Sequence, residues 1–386
     1  MNAEQLAAGA GGTDVRRSRR SSRRASAYRL LRRIHLVLAL VTAVPLTVAS
    51  LTGALLVFGH ELEGLIRPAT VVEVRDEPVL AYSTVLQRAQ AQRPEAEIWA
   101  LQVDTGERHP WNIWLKGGAG VLEVDPWSGD VLRGYRPADT PYNIVRALHR
   151  RWMMNSRPAS DWSRTIISAT ALLVMVQVVL GMWLWLLPPK RLARLKPVFG
   201  ANRRLLWQRL HMTSGVATAL IMLAVAFTGL SMYWTETSEA LISATLPGEV
   251  EQPAPPSTKG LAPVADLDAA VAMAHALSPE AAVAAVRPAE KPGGAVHVAL
   301  RNPGTGVNSR VWIGGDPMQV LKFHDGRAAS AATRFWHFRY WLHVGDFAGP
   351  VVRVLWLAVS LLPVAFVVSG IWLWRDRGRR RRRAAV

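Results

Sequence analysis

The chain of 386 residues contains no cysteine. This absence excludes disulfide bonds, iron–sulfur clusters and covalent attachment of a c-type haem, because each of them needs thiol groups. Acidic residues are also scarce, with 28 Asp and Glu against 46 Lys and Arg, and the formal net charge is +18. Such a charge is typical of proteins that bind nucleic acids or membranes, and its distribution along the chain separates the two classes.

Charge is missing altogether from four stretches of 21 to 23 residues. Each stretch is long enough to cross a hydrocarbon layer of about 30 Å as a helix that rises about 1.5 Å per residue. The sequence therefore predicts four transmembrane helices. The uncharged stretches are Leu36–Phe58, Thr165–Leu187, Met212–Trp234 and Val354–Trp374.

The basic residues concentrate in three segments that flank these stretches. Residues 1–34, 188–210 and 375–383 carry formal charges of +7, +7 and +6. All three lie on one side of the membrane if the helices alternate in direction, and the positive-inside rule makes that side the cytoplasm. This distribution predicts that both termini are cytoplasmic. It favours contact with a lipid bilayer and disfavours a nucleic-acid partner.

The remaining chain is predicted to form two extracytoplasmic α+β domains, each with one helix (Ser83–Gln92 and Leu267–Ala276) followed by short strands. A turn at Asp125–Asp130 is predicted to join two strands of the first domain. The predicted segments are a disordered basic tail 1–32, membrane helices 33–60, 164–187, 207–234 and 353–374, domains 61–163 and 235–352, a basic loop 188–206 and an Arg-rich tail 375–386.

The first half of the chain resembles the second. His35 and His211 each open an uncharged stretch, and each stands 18 residues before the Gly of a Thr-Gly pair, at Gly53 and Gly229. The resemblance indicates an internal duplication.

The second hydrophobic stretch of each half repeats as well. A Leu-His pair precedes it, ending at His149 and His343, and a Gly-x-Trp-Leu-Trp motif closes it, beginning at Gly181 and Gly370. The duplication then covers roughly 30–190 and 204–376. It predicts a four-helix membrane bundle whose halves are related by a pseudo-two-fold axis along the membrane normal.

This symmetry pairs the histidines at two depths. His35 and His211 are expected at the cytoplasmic end and His149 and His343 at the outer end, on the order of 25–30 Å apart. Two imidazoles that face each other across a two-fold axis are what a six-coordinate, noncovalent haem iron requires. The sequence therefore predicts two haem b groups, each with two histidine ligands.

Other readings of these residues stay open. His60 and His337 are weaker ligand candidates, and spacing alone permits His60 to pair with His149 or His343. The Thr-Gly and Ser-Gly pairs are more often helix-packing features than cofactor contacts. Four further histidines lack paired spacing and are interpreted as surface residues. They are His109, His275, His297 and His324.

The ordered motifs resemble the PepSY-associated transmembrane family, iron-regulated inner-membrane proteins that include ferric-siderophore reductases. The resemblance covers about 30–376, and Asp125-Pro-Trp-Ser-Gly-Asp is similar to that family's Asp-Pro-x-Thr-Gly-Glu turn. The second domain departs from the pattern, since Asp316-Pro317-Met318-Gln319 lacks the turn glycine. The other motifs are Arg-Ile-His35, Leu-Thr-Gly53, Leu-His149, Trp207 with His211, Thr-Gly229, Leu-His343-Val-Gly345 and Ser-Gly370-Ile-Trp.

The resemblance implies a multi-pass protein of the bacterial inner membrane with two periplasmic PepSY-like domains and b-type haem. It also implies transfer of electrons from an unidentified donor to a ferric siderophore or another ferric chelate. The alternative from a different class is a non-enzymatic anchor that displays PepSY-type binding domains to a periplasmic partner. A siderophore exporter or permease is disfavoured, because the uncharged helices lack the ionisable groups that ion-coupled transport uses.

Overall fold

The computed structural model describes residues 3–104, 106, 108–154, 156, 158–196 and 202–383. The helices are α1 Ala3–Val57, α2 Gly59–Ile66, α3 Tyr82–Gln92, α4 Pro141–Arg151, α5 Ala159–Leu186, α6 Arg203–Ser231, α7 Thr235–Thr245, α8 Leu267–Ala276, α9 Ala331–Val344 and α10 Pro350–Arg383. The strands are β1 Ile98–Gln102, β2 Trp111–Leu115, β3 Val121–Val124, β4 Val131–Tyr135, β5 Ala282–Arg287, β6 Val296–Arg301, β7 Ser309–Gly314 and β8 Gln319–His324.

These elements divide into two units. The bundle unit consists of Met1–Val57, Ala147–Trp234 and Leu342–Val386, and the sheet unit consists of Phe58–Arg146 and Thr235–Trp341. Each unit is therefore assembled from segments that are distant in the chain.

The bundle unit contains the four apolar helices that the sequence predicts. Segments of α1, α5, α6 and α10 are long and apolar enough to span a membrane, and the four spans are Ala25–Val57, Ala159–Leu186, Arg203–Ser231 and Pro350–Arg380. Large apolar side chains such as Val44, Leu220 and Val351 are more than 70% exposed, as expected of side chains that face lipid. The protein is a multi-pass membrane protein.

The four long helices are arranged as a ring. α1 packs against α5 and α10, and α6 packs against the same two helices. Consequently α1 and α6 stand diagonally across the bundle, as do α5 and α10. This order is the one that a two-fold axis between the two halves requires.

The ends of the long helices differ in part from the predicted boundaries. α1 begins at Ala3, so the segment predicted to be a disordered tail continues as helix. Its many Ala and Arg residues are strong helix formers, which is consistent with that extension. α6 begins after Asn202, whose side chain accepts a hydrogen bond from the amide of Arg204. Of the predicted basic loop 188–206, residues 197–201 lie outside the described residues.

The sheet unit contains a single eight-stranded antiparallel sheet with the order β4-β3-β2-β1-β5-β6-β7-β8. β1 and β5 join the two halves, with Leu101 opposite Val286 and Gln102 opposite Ala285. The prediction of two separate α+β domains is therefore corrected. Each segment does form a helix followed by a four-stranded meander, but the two meanders pair edge to edge and thereby protect two strand edges.

The helices α3 and α8 pack on the same side of the sheet. α3 contacts α8, and their buried residues form one hydrophobic core with alternate residues of the strands. The other face of the sheet carries the intervening residues, which are mostly polar, aromatic or charged. The core residues with the lowest exposure include Val85, Leu101, Ile113, Ala270, Val286, Val298, Leu300, Val311 and Ile313.

The hairpin turns use glycines with positive φ. Gly129 has φ of 72° between β3 and β4, where Asp125 Oδ1 also accepts a hydrogen bond of 2.7 Å from the amide of Trp127. This is the turn that the sequence predicts. Between β7 and β8 the positive φ of 87° belongs to Gly315, which precedes Asp316. The second turn therefore has its glycine at a different position.

We predict that Leu101→Ala destabilises the sheet unit by about 2–5 kcal/mol, because Leu101 is fully buried where the two meanders join. Leu132→Ala on β4 is the matched control, since Leu132 is 42% exposed. The stability loss of each variant is measured from the proteolytic susceptibility of the full chain across a urea series. Equal effects of the two substitutions would contradict the assignment of Leu101 to the shared core.

Candidate functional site

The bundle brings together two of the four predicted histidines. His149 lies in the last turn of α4 and His343 in the last turn of α9. The centroids of their imidazole rings are 6.2 Å apart, and the ring planes are inclined by 55°. These histidines come from equivalent positions of the two halves, as the repeated sequence predicts.

Threonines of the facing helices hold both rings. Nδ1 of His149 lies 2.9 Å from Oγ1 of Thr52, and Nδ1 of His343 lies 3.1 Å from Oγ1 of Thr228. Each threonine hydroxyl donates to a carbonyl of its own helix, that of Val48 or Ala224. Because its proton is used there, the hydroxyl accepts a hydrogen bond from Nδ1.

These contacts fix the tautomer of the rings. Nδ1 of His343 also lies 3.1 Å from the carbonyl oxygen of Val225, which can only accept a hydrogen bond. Both Nδ1 atoms therefore carry the proton, and Nε2 of each ring keeps its lone pair. A ring oriented through Nδ1–H with a free Nε2 is the usual form of a histidine that binds a metal.

Electrostatics keep this pair uncharged. Burial, together with the nearby His343, lowers the pKa of His149 to about 4. Burial also lowers the pKa of His343. Both rings are neutral at pH 7, and metals bind the neutral imidazole.

Glycines allow the rings to approach the neighbouring helices. A Cβ atom at Gly53 would lie 3.3 Å from Cε1 of His149, and a Cβ at Gly229 would lie 3.0 Å from Cε1 of His343. The Thr-Gly pair thus supplies a hydrogen-bond acceptor and, one residue later, the space for the imidazole. The Thr-Gly pairs contact the histidines and do not serve helix packing alone.

The second pair, His35 and His211, lies on the diagonal helices α1 and α6. His211 Nδ1 is 2.8 Å from Oγ of Ser369, which donates to the carbonyl of Phe366 and therefore accepts from the imidazole. His211 thus repeats the contact of a histidine with a hydroxyl of a neighbouring helix.

The two halves differ around this second pair. A Cβ at Gly181 would lie 3.5 Å from Cε1 of His35, whereas a Cβ at Gly370 would meet no atom within 4 Å. Leu180 stands where the other half has Ser369, and Nδ1 of His35 is buried without a hydrogen-bond partner among the described residues. Gln177 accepts a hydrogen bond of 3.4 Å from Thr42.

The spacing of His149 and His343 fits two ligands of one metal ion. Metal–imidazole bonds of about 2 Å place two ligating nitrogens about 4 Å apart and their ring centroids about 6 Å apart, which agrees with the 6.2 Å of His149 and His343. Eighteen residues of α1 separate His35 from Gly53, or about 27 Å. Within the described residues no cluster of three or more His, Asp or Glu is placed to hold a metal ion.

Comparison with known protein families matches the PepSY-associated TM region over residues 32–377. The chain belongs to this family. The match includes all four histidines and both units, so the family assignment applies to the whole arrangement described above. Comparison with curated proteins finds no match.

The weaker ligand candidates of this PepSY-associated chain lie in the sheet unit. His60 on α2 stacks on Tyr142 with ring centroids 4.0 Å apart. His337 on α9 is near Arg310 and Arg339. Neither replaces a histidine of the His149/His343 pair.

Two histidines that were predicted to be surface residues are not. His297 Nε2 is buried, and the ring of His297 lies 4.8 Å from that of Trp312. The His324 side chain is 12% exposed and pairs with Glu251. His109, by contrast, has a side chain that is 63% exposed, as predicted. The prediction rested on the absence of paired spacing, which carries no information about burial.

Sequence reasoning missed the hydroxyl partners of the histidines, which are Thr52, Thr228 and Ser369. The available signal was the constant spacing of 17 residues between His35 and Thr52 and between His211 and Thr228. That spacing identified a repeat. It did not reveal that each threonine serves a histidine from another helix.

We expect Ser369→Ala to destabilise the bundle by about 1–3 kcal/mol, because it leaves Nδ1–H of His211 buried without its acceptor. Ser214→Ala is the control, since the hydroxyl of Ser214 donates to carbonyls of its own helix. Thermal unfolding of the purified chain in detergent compares the two. A larger loss for Ser214→Ala would contradict the assigned hydrogen bond.

Replacement of glycine by alanine should have opposite effects on stability at Gly370 and at Gly229. Gly370→Ala is expected to stabilise α10 by about 0.5–1 kcal/mol, because alanine is the better helix former and nothing obstructs its Cβ. Gly229→Ala should lose that gain and lower the melting temperature, because its Cβ would press on His343. Stabilisation by both substitutions would show that His343 does not need the space beside Gly229.

Proposed function

We propose that the chain is an inner-membrane reductase with two b-type haems that passes electrons across the bilayer to ferric siderophores in the periplasm. The observation that supports it is the pair His149 and His343, with protonated Nδ1 atoms held by threonines and ring centroids 6.2 Å apart. Ordinary helix packing does not require two buried, neutral imidazoles in this arrangement.

His149 and His343 would hold one haem, and His35 and His211 would hold the other. Each haem, when bound, supplies a one-electron carrier. Thr52 and Thr228 orient the first pair of rings, and Ser369 orients His211. Hydrogen bonds from Nδ1–H to these acceptors also raise the basicity of the ligating nitrogen.

The surrounding bundle separates these groups from water. The uncharged stretches contain no Asp, Glu, Lys or Arg, so they lack the groups on which proton- or ion-coupled transporters depend. Electron transfer needs no such groups in the chain. The composition of the spans is therefore better suited to electron transfer than to permeation.

The orientation and the duplication are part of the same proposal. The basic segments support cytoplasmic termini, and the family resemblance supports the bacterial inner membrane with the sheet unit in the periplasm. Internal duplication is supported by the common order of elements, a helix followed by four strands, in α3–β4 and α8–β8. The electron donor would then contact the cytoplasmic side.

The joined sheet favours a second candidate. Eight strands in one sheet offer a wide polar face, which suits a membrane-anchored domain that binds a periplasmic partner without catalysis. That function requires no haem and tolerates replacement of the four histidines.

Single His→Ala variants separate the two candidates. We expect His149→Ala and His343→Ala to lose the same one of two haems, and His35→Ala and His211→Ala to lose the other. His60→Ala is the control and should retain both haems, because its ring stacks on Tyr142. Haem per chain and the reduced absorption spectrum of each variant are measured after expression with ample haem.

Activity is measured in proteoliposomes with a reductant inside and ferric siderophore outside, by trapping Fe(II) with a chromogenic chelator. Each of the four variants should lose the reduction, and His60→Ala should retain it. Full haem content in all four variants would contradict the ligand assignment and leave the anchored binding domain.

A further inference from the structure

The polar face of the sheet carries a row of cationic and aromatic side chains across four strands. Arg287 is opposite His297, His297 is opposite Trp312, and Trp312 is opposite Lys322. Directly opposed residues of antiparallel strands share a face and have Cβ atoms about 4.5–5.5 Å apart. The chain neighbours of this row, such as Val298, belong to the core beneath α3 and α8. The row therefore lies on the face away from those helices.

Positive charge accumulates around this row without compensation. Arg310 lies two residues before Trp312 and so shares its face. Burial and then Arg287 lower the pKa of Arg310. Burial, followed by Arg287 and Arg310, lowers the pKa of His297 to about 4. Clustered like charges destabilise a sheet unless a ligand or a counter-charge offsets them.

Carboxylates do not supply that counter-charge. In the parts of the chain that the structure describes, neither Arg287 nor Arg310 forms a salt bridge. Glu251 reaches this part of the sheet, but it pairs with His324 at 3.4 Å. Lys322 donates to the carbonyl oxygen of Ala254. Among the described residues, no carboxylate therefore forms a salt bridge with either guanidinium group.

Two nitrogens of the row are buried and unsatisfied. Nε of Arg287 and Nε2 of His297 have no hydrogen-bond partner among the described residues. Nε–H of Arg287 is therefore a buried donor without an acceptor, which costs about 1–3 kcal/mol. An anion that accepts from this group would recover this free energy.

Aromatic rings border the cationic groups. The guanidinium carbon of Arg287 lies 4.0 Å from the ring centroid of Trp99, which is 37% exposed. The ring of His297 lies 4.8 Å from that of Trp312. The exposed indole of Trp99 next to the guanidinium group of Arg287 suits a ligand that combines anionic oxygens with an organic framework. Inorganic phosphate would use the charges and make no contact with Trp99.

We propose that Arg287, Arg310 and His297 form a binding site for an anionic, carboxylate-bearing ferric chelate. Trp99 packs against the organic part of the chelate at the exposed end of the row. This inference rests on the proposed reductase function, since it names the class of substrate that the sheet unit takes. It concerns binding alone and requires no electron transfer.

The test is equilibrium dialysis of the purified full chain with gallium(III) citrate. This chelate has the same charge as the corresponding ferric chelate, and its metal is not reduced. The variant R287Q/R310Q is expected to bind at least about tenfold more weakly than the original chain, a loss of about 1.4 kcal/mol. The control K116Q/R136Q removes the same charge from surface ion pairs with Glu97 and Asp139 and should bind within about twofold of the original chain.

Folding of the variant is checked separately. Removal of two repelling charges should leave the melting temperature unchanged or raise it. Trp99→Ala, a substitution at an exposed position, provides a second variant and should also weaken binding. No binding by the original chain, or equal weakening by R287Q/R310Q and K116Q/R136Q, would overturn the site.

Other outcomes show whether the bound anion is a chelate or a lipid headgroup. They also show whether the proposed reductase function is retained. Binding of phosphatidylglycerol vesicles that depends on Arg287 and Arg310, without binding of gallium citrate, would assign the site to lipid headgroups and overturn the proposal. Haem content is measured on the same samples. Chelate binding by a chain without haem would retain the site and remove the reductase. Haem-dependent ferric reduction that R287Q/R310Q leaves unchanged would overturn the site and retain the reductase.

Discussion

The close approach of an imidazole to a small residue on a neighbouring helix determines how the bundle is assembled. His149 needs the missing Cβ of Gly53, and His343 needs that of Gly229. The adjacent Thr52 and Thr228 then accept the Nδ1 protons. Each contact joins two helices and sets the depth of a histidine. A side chain larger than glycine would move the ring away from both its acceptor and its partner histidine.

The two halves of the chain also pair with each other in the sheet unit, there through backbone hydrogen bonds. β1 and β5 share main-chain hydrogen bonds, so the two meanders form one sheet rather than two domains. This places one helix of each half on a common core and leaves one continuous polar face. Arg287, His297 and Arg310 gather on that face because their strands are neighbours. The chain thus has a shared histidine site in one unit and a shared cationic surface in the other.

The repeated sequence was sufficient to predict the four membrane spans, the α+β content and the equivalence of His149 and His343. Uncharged length and internal spacing determine those features. The join between β1 and β5 was not predictable, because it depends on which strand edges of distant segments meet. The partial burial of His297 was missed because the absence of paired spacing says nothing about what covers this face of the sheet. Haem binding stays a prediction, now with oriented ligands and their hydroxyl partners.

The most direct test of the account is the absorption spectrum of the purified full chain, oxidised and dithionite-reduced, with haem quantified per chain. Two noncovalent b-type haems per chain, both low-spin as expected for paired histidine ligands, is the predicted result. One haem per chain would remove one of the two pairs. A chain without haem after expression with ample haem supply would contradict the central claim.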